Sequence, residues 1–494
     1  MAAKKIIVIG AGVGGLSAAL DLARSGCDVT VVERAATPGG KMRQVQAGTA
    51  SIDAGPTVFT MRWIFEQLFA DAGAVLGHHL KLTKADVLAR HAWRQGGELD
   101  LYADLGRSAD AIRAFAGPQD AQGYLDFCAR SEDIFNTLKH SFIAAQRPSP
   151  VGLVNRVGFG NLAAMWRTAP FSTMWQELGK YFGDPRLRQL FGRYATYVGS
   201  SPWLAPATLM LVAHVEQDGV WLVDGGMYAV ARAIQTVAET KGASFRFNSH
   251  VREITCTNGK ASGVILADGE HLAGDAVIFN GDVSALGAGL LGDDVLDAGP
   301  VTSPGERSLS AVTWCVQATT SGFDLDYHNV FFAEDYAREF DAVFARRTVT
   351  EAPTVYICAQ DRGGAARPAG RERLLLLVNA PADGDATDFS AQQMADLKYR
   401  TYGLLQDCGL HITDTGNGVT TNPAGFNELF PASGGALYGR ASHGMMASFE
   451  RPGAASKVSG LYLAGGSVHP GPGVPMAAMS GRLAASRLLQ DLDD

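Results

Sequence analysis

The chain opens on a short apolar run, Lys4–Ile9, in which Ile6, Ile7, Val8 and Ile9 follow one another and glycine then stops the pattern. A run so short and so rich in β-branched residues predicts a buried strand. Leu16, Ala19, Leu20 and Ala23 recur at helical spacing and predict a helix with one apolar face. Asp28–Val32 is strand-like again and ends at Glu33. Residues 98–101 are strand-like, and residues 109–145 are helical, with Ile112, Phe115, Tyr124, Phe127 and Phe135 set among charges. Ser244–Phe247, Val251–Thr257 and Ala261–Leu266, with turns at Asn258-Gly259 and Asp268-Gly269, predict a β-meander. Val277–Phe279 then leads back to the first sheet, residues 300–450 are mixed, and the strand Leu461–Ala464 precedes a helix running to the C-terminus. Strand, helix and strand in this order place the chain in the α/β class.

The first loop carries candidate chemistry. Gly10-Ala11-Gly12-Val13-Gly14-Gly15 is a G-x-G-x-x-G sequence between a predicted strand and a predicted helix. Gly10 allows the tight turn, Gly12 lets the backbone approach a pyrophosphate, and Gly15 lets the helix pack closely. The helix N-terminus offers free N–H groups and partial positive charge. Glu33 comes 18 residues after Gly15, at a strand end, where a carboxylate can accept hydrogen bonds from ribose hydroxyls. Arg34 and a short turn lead to Gly39-Gly40-Lys41. This acid, turn and glycine pair resemble the FAD-binding start of the glutathione-reductase-like flavoproteins, notably the amine oxidases and carotenoid desaturases. Two glycines permit close backbone approach. Lys41 and Arg43 either offset diphosphate charge or remain solvated loop residues.

Composition narrows the remaining classes. With 494 residues, 47% of them hydrophobic, the chain can bury a large core and suggests two or three domains. A net charge of −8 argues against a nucleic-acid partner. The six cysteines are scattered, with no C-x-x-C and no metal-ligand spacing, so no metal is expected and a reducing, cytoplasmic compartment is. No apolar run reaches the length of about 18 residues needed to span a bilayer. Residues 151–199 are rich in Val, Leu, Met, Phe and Trp, interrupted by Arg156, Arg167 and Lys180. Such a segment lies in a lipid headgroup layer or packs as a helical lid.

The last loop, Gly465-Gly466-Ser467-Val468-His469-Pro470-Gly471-Pro472-Gly473-Val474-Pro475-Met476, resembles the C-terminal signature of the bacterial-type carotenoid (phytoene) desaturase family. Asp53-Ala54-Gly55-Pro56-Thr57, Gly225-Gly226-Met227, Asn280-Gly281-Asp282, Gly435–Gly439 and Phe449–Pro452 match further blocks, and the resemblance runs from residue 5 to about residue 488. The Gly-Gly-Ser-Val-His-Pro form, Met476 after Pro475, and Thr57–Trp63 look like the branch acting on hydroxylated or methoxylated carotenoids in purple phototrophic bacteria. After Ala464-Gly465, Gly466 replaces the acid usual in amine oxidases, and no aromatic pair flanks the loop to cage an amine.

The resemblance implies a glutathione-reductase-like FAD-binding Rossmann domain with an inserted mixed α/β substrate domain and a helical lid or membrane-facing region. The FAD domain would be discontinuous, over residues 1–70, 222–300 and 455–494. The substrate domain would take 71–221 and 301–454, with 110–215 largely helical. FAD would contact Gly10, Gly12, Gly14, Gly15, Glu33, Arg34, Gly40, Lys41, Val251, Gly465, Gly466, Gly473, Val474, Pro475 and Met476.

The implied reaction introduces a C3–C4 double bond into a 1-hydroxy or 1-methoxy acyclic C40 carotenoid, with hydride passing to the flavin and oxygen or a quinone as electron acceptor. The flavin carries the hard chemistry. His469, Asp53 and Arg62 are candidate catalytic residues, with Asp224 and Asn280 as further polar groups. His469 serves equally as a proton acceptor or as a structural histidine bonded to backbone. The substrate would enter a tunnel lined by aromatics of residues 59–69 and 151–200, from the surface of the inner or photosynthetic membrane. The alternatives are phytoene desaturation, another carotene desaturation or isomerisation, and a non-enzymatic isoprenoid lipid escort.

Overall fold

The computed structural model describes residues 3–157, 171–364, 368–387 and 389–493. Its first sheet is parallel, with five strands in the order Leu461–Leu463, Ala276–Phe279, Lys5–Ile9, Asp28–Val32 and Ser244–Arg246. Both faces are covered, which explains the unbroken apolar run of the first strand. Ile6 and Val8 pack with the helices Val13–Arg24, Tyr228–Thr240 and Val474–Asp493. Ile7 and Ile9 point the other way, onto a three-stranded antiparallel meander, as the two-residue strand period requires.

That meander consists of Val251–Thr257, Lys260–Leu266 and His271–Ala273. The expected first strand, Ser244–Phe247, is not part of it. Ser244–Arg246 pairs with Thr30–Val32 at the edge of the parallel sheet. Asn248, at φ 53°, then takes the left-handed conformation that Asn tolerates and redirects the chain. The predicted helix over 109–145 is three pieces, Leu105–Ala116, Pro118–Leu138 and a π-turn at Lys139–Ile143. Gly117, at φ 97°, and Pro118 make the first break.

A second sheet of eight strands draws on two distant stretches. Val87–Trp93 and Glu98–Tyr102 join six strands between Ser310 and Thr421, and Val87–Trp93 runs parallel to His328–Phe332 while its other neighbour, Glu98–Tyr102, is antiparallel. On the strand Glu372–Ala380, Leu374, Leu376 and Val378 enter a core shared with Leu397, Leu404 and Leu405 of the helix Ala391–Asp407. The alternate residues Leu375, Leu377 and Asn379 face a large internal cavity.

Of the segment 151–199, Phe159, Leu162, Met165, Trp166 and Arg167 lie outside the described residues. Met174, Phe182 and Phe191 are core, and Trp175 stacks on Trp203 at 4.3 Å. Phe171 is 68% exposed at the cavity mouth. No described helix is long and apolar enough to cross a membrane.

Candidate cofactor and substrate cavity

The cavity has a volume of about 1130 Å³ and runs between the two sheets. Ordinary small-molecule sites occupy about 300–1,000 Å³. At one end the first glycine loop and the C-terminal loop converge. Gly10, at φ 96°, turns the chain out of the first strand. A Cβ on Gly14 would sit 2.6 Å from Asn280 Oδ1, 2.9 Å from Gly465 N and 3.0 Å from Ala477 O. The two loops therefore meet backbone to backbone, and only glycine fits between them. A Cβ on Gly40 would stand 3.1 Å from Gly12 Cα, so the Gly39-Gly40 turn closes a third side.

Gly12 caps the helix Val13–Arg24 without a side-chain hydrogen bond, and no acid sits in the first turn. The orphan N–H groups there are offered to an anion. Glu33 is buried, and its oxygens accept from Ala11 N at 2.7 Å and Ala35 N at 2.8 Å. Each carboxylate oxygen keeps a further lone pair for a hydroxyl donor. Arg34 lines the cavity and donates to Glu428 O at 2.9 Å.

Three cations line the same region. Lys41 donates to Leu437 O at 2.6 Å, and burial pulls its ammonium below the usual value, partly offset by Asp282. Arg43 donates to Thr421 Oγ1 at 3.0 Å and is likewise lowered by burial. Arg451 is 2% exposed, donates to Tyr438 O and Gly466 O at 3.2 Å each, and is pushed down to about 10 by burial. These charges are held by carbonyl and hydroxyl dipoles in a site that disfavours cations, and a diphosphate would relieve that penalty. With the glycine cradle and the ribose acid, the residues fit FAD.

Of the expected FAD contacts, all but Gly15 line the cavity. Gly15 faces the turn instead, where a Cβ would fall 2.1 Å from Gly10 O, so its part is to let the helix close on the strand. Asn280 does line the cavity and donates to Gly10 O at 3.1 Å.

The three expected catalytic residues are absent from the cavity lining. Asp53 is buried and accepts from Met227 N at 2.5 Å and Gln44 Nε2 at 3.0 Å, so it ties the Gly225-Gly226-Met227 step to the sheet. Burial raises its pKa, against those hydrogen bonds. Arg62 pairs with Glu66 at 2.8 Å and lies over Trp221 at 4.5 Å. His469 is 3% exposed and bonds Ala145 O at 2.8 Å through Nε2. Asp224 forms an exposed pair with Lys81 at 3.4 Å. All four side chains are engaged structurally.

The tunnel expectation also shifts. Phe59 and Phe65 pack on each other at 4.9 Å in the core, and from that stretch Thr60 and Met61 reach the cavity. The apolar wall comes instead from Leu138, Phe142, Ile143, Leu153, Leu209, Leu211, Val212, Val215, Met445 and Met446. Arg193, Tyr197, Glu216, Tyr336, Tyr356 and Arg451 also line it. Arg451 stood in a matching sequence block without a role. The others come from separate segments and carry no motif.

A family model for flavin containing amine oxidoreductases matches residues 13–489. The chain is 54% identical, over 99% of its length and 94% of the relative's, to a hydroxyneurosporene desaturase of Rubrivivax gelatinosus. It is 31% identical, over 98% of both chains, to a 1-hydroxycarotenoid 3,4-desaturase of a Flavobacterium species. Among solved structures, a putrescine oxidase bound to putrescine has the same fold over the whole of both chains, with a TM-score of 0.62 at 14% identity.

Proposed function

Because the chain belongs to the flavin containing amine oxidoreductase family and is similar end to end to hydroxyneurosporene desaturases, we propose that it is an FAD-dependent carotenoid 3,4-desaturase. Its substrate is a 1-hydroxy or 1-methoxy acyclic carotenoid. The observation that carries this reading is one continuous cavity, whose lining joins a glycine- and cation-rich part to an apolar part.

Bound FAD supplies a hydride acceptor. The protein's own work is to bind, orient and exclude water. The apolar wall takes up the polyene, at about 25 cal/mol for each Å² removed from water. The helix N-terminus at Gly12 and the cations Lys41, Arg43 and Arg451 hold the diphosphate. On this reading residues 1–70, 222–300 and 455–494 make the FAD domain, and the remainder makes the substrate domain.

The substrate is a membrane-soluble pigment, and the cavity mouth suits delivery from a membrane surface. Phe171 is 68% exposed there, Met445 and Met446 are each 41% exposed, and Arg156 is exposed on the neighbouring helix Pro150–Val157. Apolar side chains beside a cation favour the interface of an anionic membrane. Oxygen or a membrane quinone then serves as the terminal electron acceptor.

The test is an anaerobic incubation of FAD-loaded protein with 1-hydroxy or 1-methoxy neurosporene in liposomes. The expected result is a red shift of the pigment by one conjugated double bond, with bleaching of the flavin absorbance. Conversion of phytoene alone would replace the substrate assignment. Pigment binding without conversion, in a protein that takes up no flavin, would establish a lipid escort instead.

A further inference from the structure

A hydrocarbon gains nothing from buried polar groups, yet the wall of this apolar cavity holds a hydrogen-bonded network of titratable side chains. Tyr194 and Tyr197 both donate to Glu216, the latter at 2.9 Å, and Arg193 donates to the Tyr197 hydroxyl at 3.0 Å. Burial raises the Glu216 carboxyl above its ordinary range, against these bonds. Taking such groups out of water is costly unless they serve a structure or a ligand.

Two lining hydroxyls stand outside the network, that of Thr354, whose backbone N–H donates to Glu339, and that of Tyr336 at the end of a longer side chain. Tyr336 is 5% exposed, lines the cavity, and its oxygen has no hydrogen-bond partner among the described residues. Edge contacts from Phe332 at 6.0 Å and Phe340 at 4.9 Å hold the ring. Burial and then the Glu339 carboxylate push the Tyr336 pKa well above the ordinary value, and the charge of Arg193 pulls against them. An unpartnered buried hydroxyl is uncommon in folded proteins and marks a place where a ligand completes the bonding.

The cluster lies at the cofactor end. Gly199 ends the turn Arg193–Val198, and a Cβ there would fall 2.6 Å from the ring of Tyr438. The neighbours of Tyr438 are Leu437, whose carbonyl receives Lys41 Nζ, and Gly439, where a Cβ would lie 3.0 Å from Ser467 Cβ in the C-terminal glycine loop. In a 1-oxygenated substrate the oxygen is three bonds from C3. When C3–C4 faces the cofactor, that oxygen must lie beside it and not at the mouth, while the polyene runs back along the apolar wall.

We propose that Tyr336, in the same cavity wall as Arg193 and Tyr197, donates a hydrogen bond to the C1 oxygen of the substrate and so sets which carbon pair meets the flavin. The inference rests on the desaturase reading above. A tertiary alcohol and its methyl ether both present an acceptor oxygen, although only the alcohol can donate. A donor at this position therefore admits both and disfavours the oxygen-free chain, which leaves the hydroxyl unsatisfied.

Tyr336→Phe tests it. For wild type and variant, kcat/KM is measured on 1-hydroxy, 1-methoxy and oxygen-free neurosporene, and binding is followed anaerobically by the flavin spectral change. The variant should lose about tenfold of its preference for each oxygenated substrate over the oxygen-free one, as loss of one buried hydrogen bond predicts. Because the hydroxyl has no protein partner, thermal midpoint and FAD content should match wild type, and they verify the fold. An unchanged preference ratio overturns the inference and leaves the desaturase standing. So does a wild type that converts the oxygen-free substrate equally well. A wild type that converts none of the three overturns the desaturase reading itself; equal spectroscopic affinity of wild type and variant for the 1-hydroxy pigment would then sink the recognition role as well.

Discussion

A histidine in a glycine-rich flavin loop invites a proton-transfer role, and the surroundings of His469 argue against one. Its Nε2 faces the Ala145 carbonyl, which can only accept, so that nitrogen carries the proton. Its ring meets Phe142 edge-on at 4.8 Å. Burial pulls its pKa down to about 4, so it is neutral through the working range. His469→Asn should lower the thermal midpoint, since a buried hydrogen bond is worth about 1 kcal/mol, while folded protein keeps its flavin and turnover. A general base contributes about a hundredfold or more. A loss of that size in kcat, at normal flavin content, would return His469 to the chemistry. Asp53 teaches the same lesson. A carboxylate in a matching motif looked chemical in one dimension, and in three it holds the Met227 amide.

Elements placed side by side by glycine make the cofactor end. The C-terminal helix crosses the helix Val13–Arg24 so closely that a Cβ on Gly481 would fall 1.9 Å from Gly14 O. Arg482 fastens the crossing by pairing with Asp21 at 3.0 Å and with Asp71. Gly481→Ala must push the helices apart, and overpacking of this kind costs about 1–3 kcal/mol. Gly481 is not part of the cavity lining, yet the displacement moves the Gly465–Met476 loop away from Gly14. The variant should therefore lose FAD on gel filtration before it loses its fold, and full retention of FAD with normal stability would refute the coupling. The glycine loops and the Glu33 strand end were legible in sequence because each is a contiguous motif, although the glycine loops find their partners, Gly14 with Asn280 and Gly465, only in the fold. The edge strand Ser244–Arg246 was not, because only its pairing with Thr30–Val32 distinguishes it from the meander that follows. Of the expected aromatic tunnel, Phe171 and Tyr197 do line the cavity, and the 59–69 part does not for a related reason. Phe59 and Phe65 have a composition that suits core and cavity alike, and packing alone decides between them.

At the scale of the whole molecule, the wall of the cavity is assembled from segments more than a hundred residues apart, such as Tyr197 with Tyr336 and Tyr356, and no spacing rule announces them. The same long-range burial sets how stability depends on pH. His91 and His328 are lowered to about 3, first by burial and then by the charge of Arg193. His443 and His469 are lowered to about 4 and His214 is lowered too, each mainly by burial. In the unfolded chain these groups titrate near the usual value of about 6.5. Between that value and their folded values the unfolded state binds protons that the folded state refuses. Their contribution is therefore present above pH about 6.5 and is lost as pH falls through the window. Burial acts oppositely on carboxyls. Glu339 is raised to about 7, and Asp53 and Glu216 are raised as well, so their contribution is present at low pH and is lost as pH rises. Five histidines outweigh three carboxyls, so denaturant midpoints should fall steadily as pH drops from about 6.5 to about 4. Glu339→Gln isolates the opposing limb. Relative to wild type it should gain stability as pH rises from about 4.5 to about 7, because the amide never has to ionise. Denaturant titrations of both proteins across that range check the two signs together. A flat wild-type profile, or a pH-independent gap between the two proteins, would show that these interiors are wetter than their packing implies.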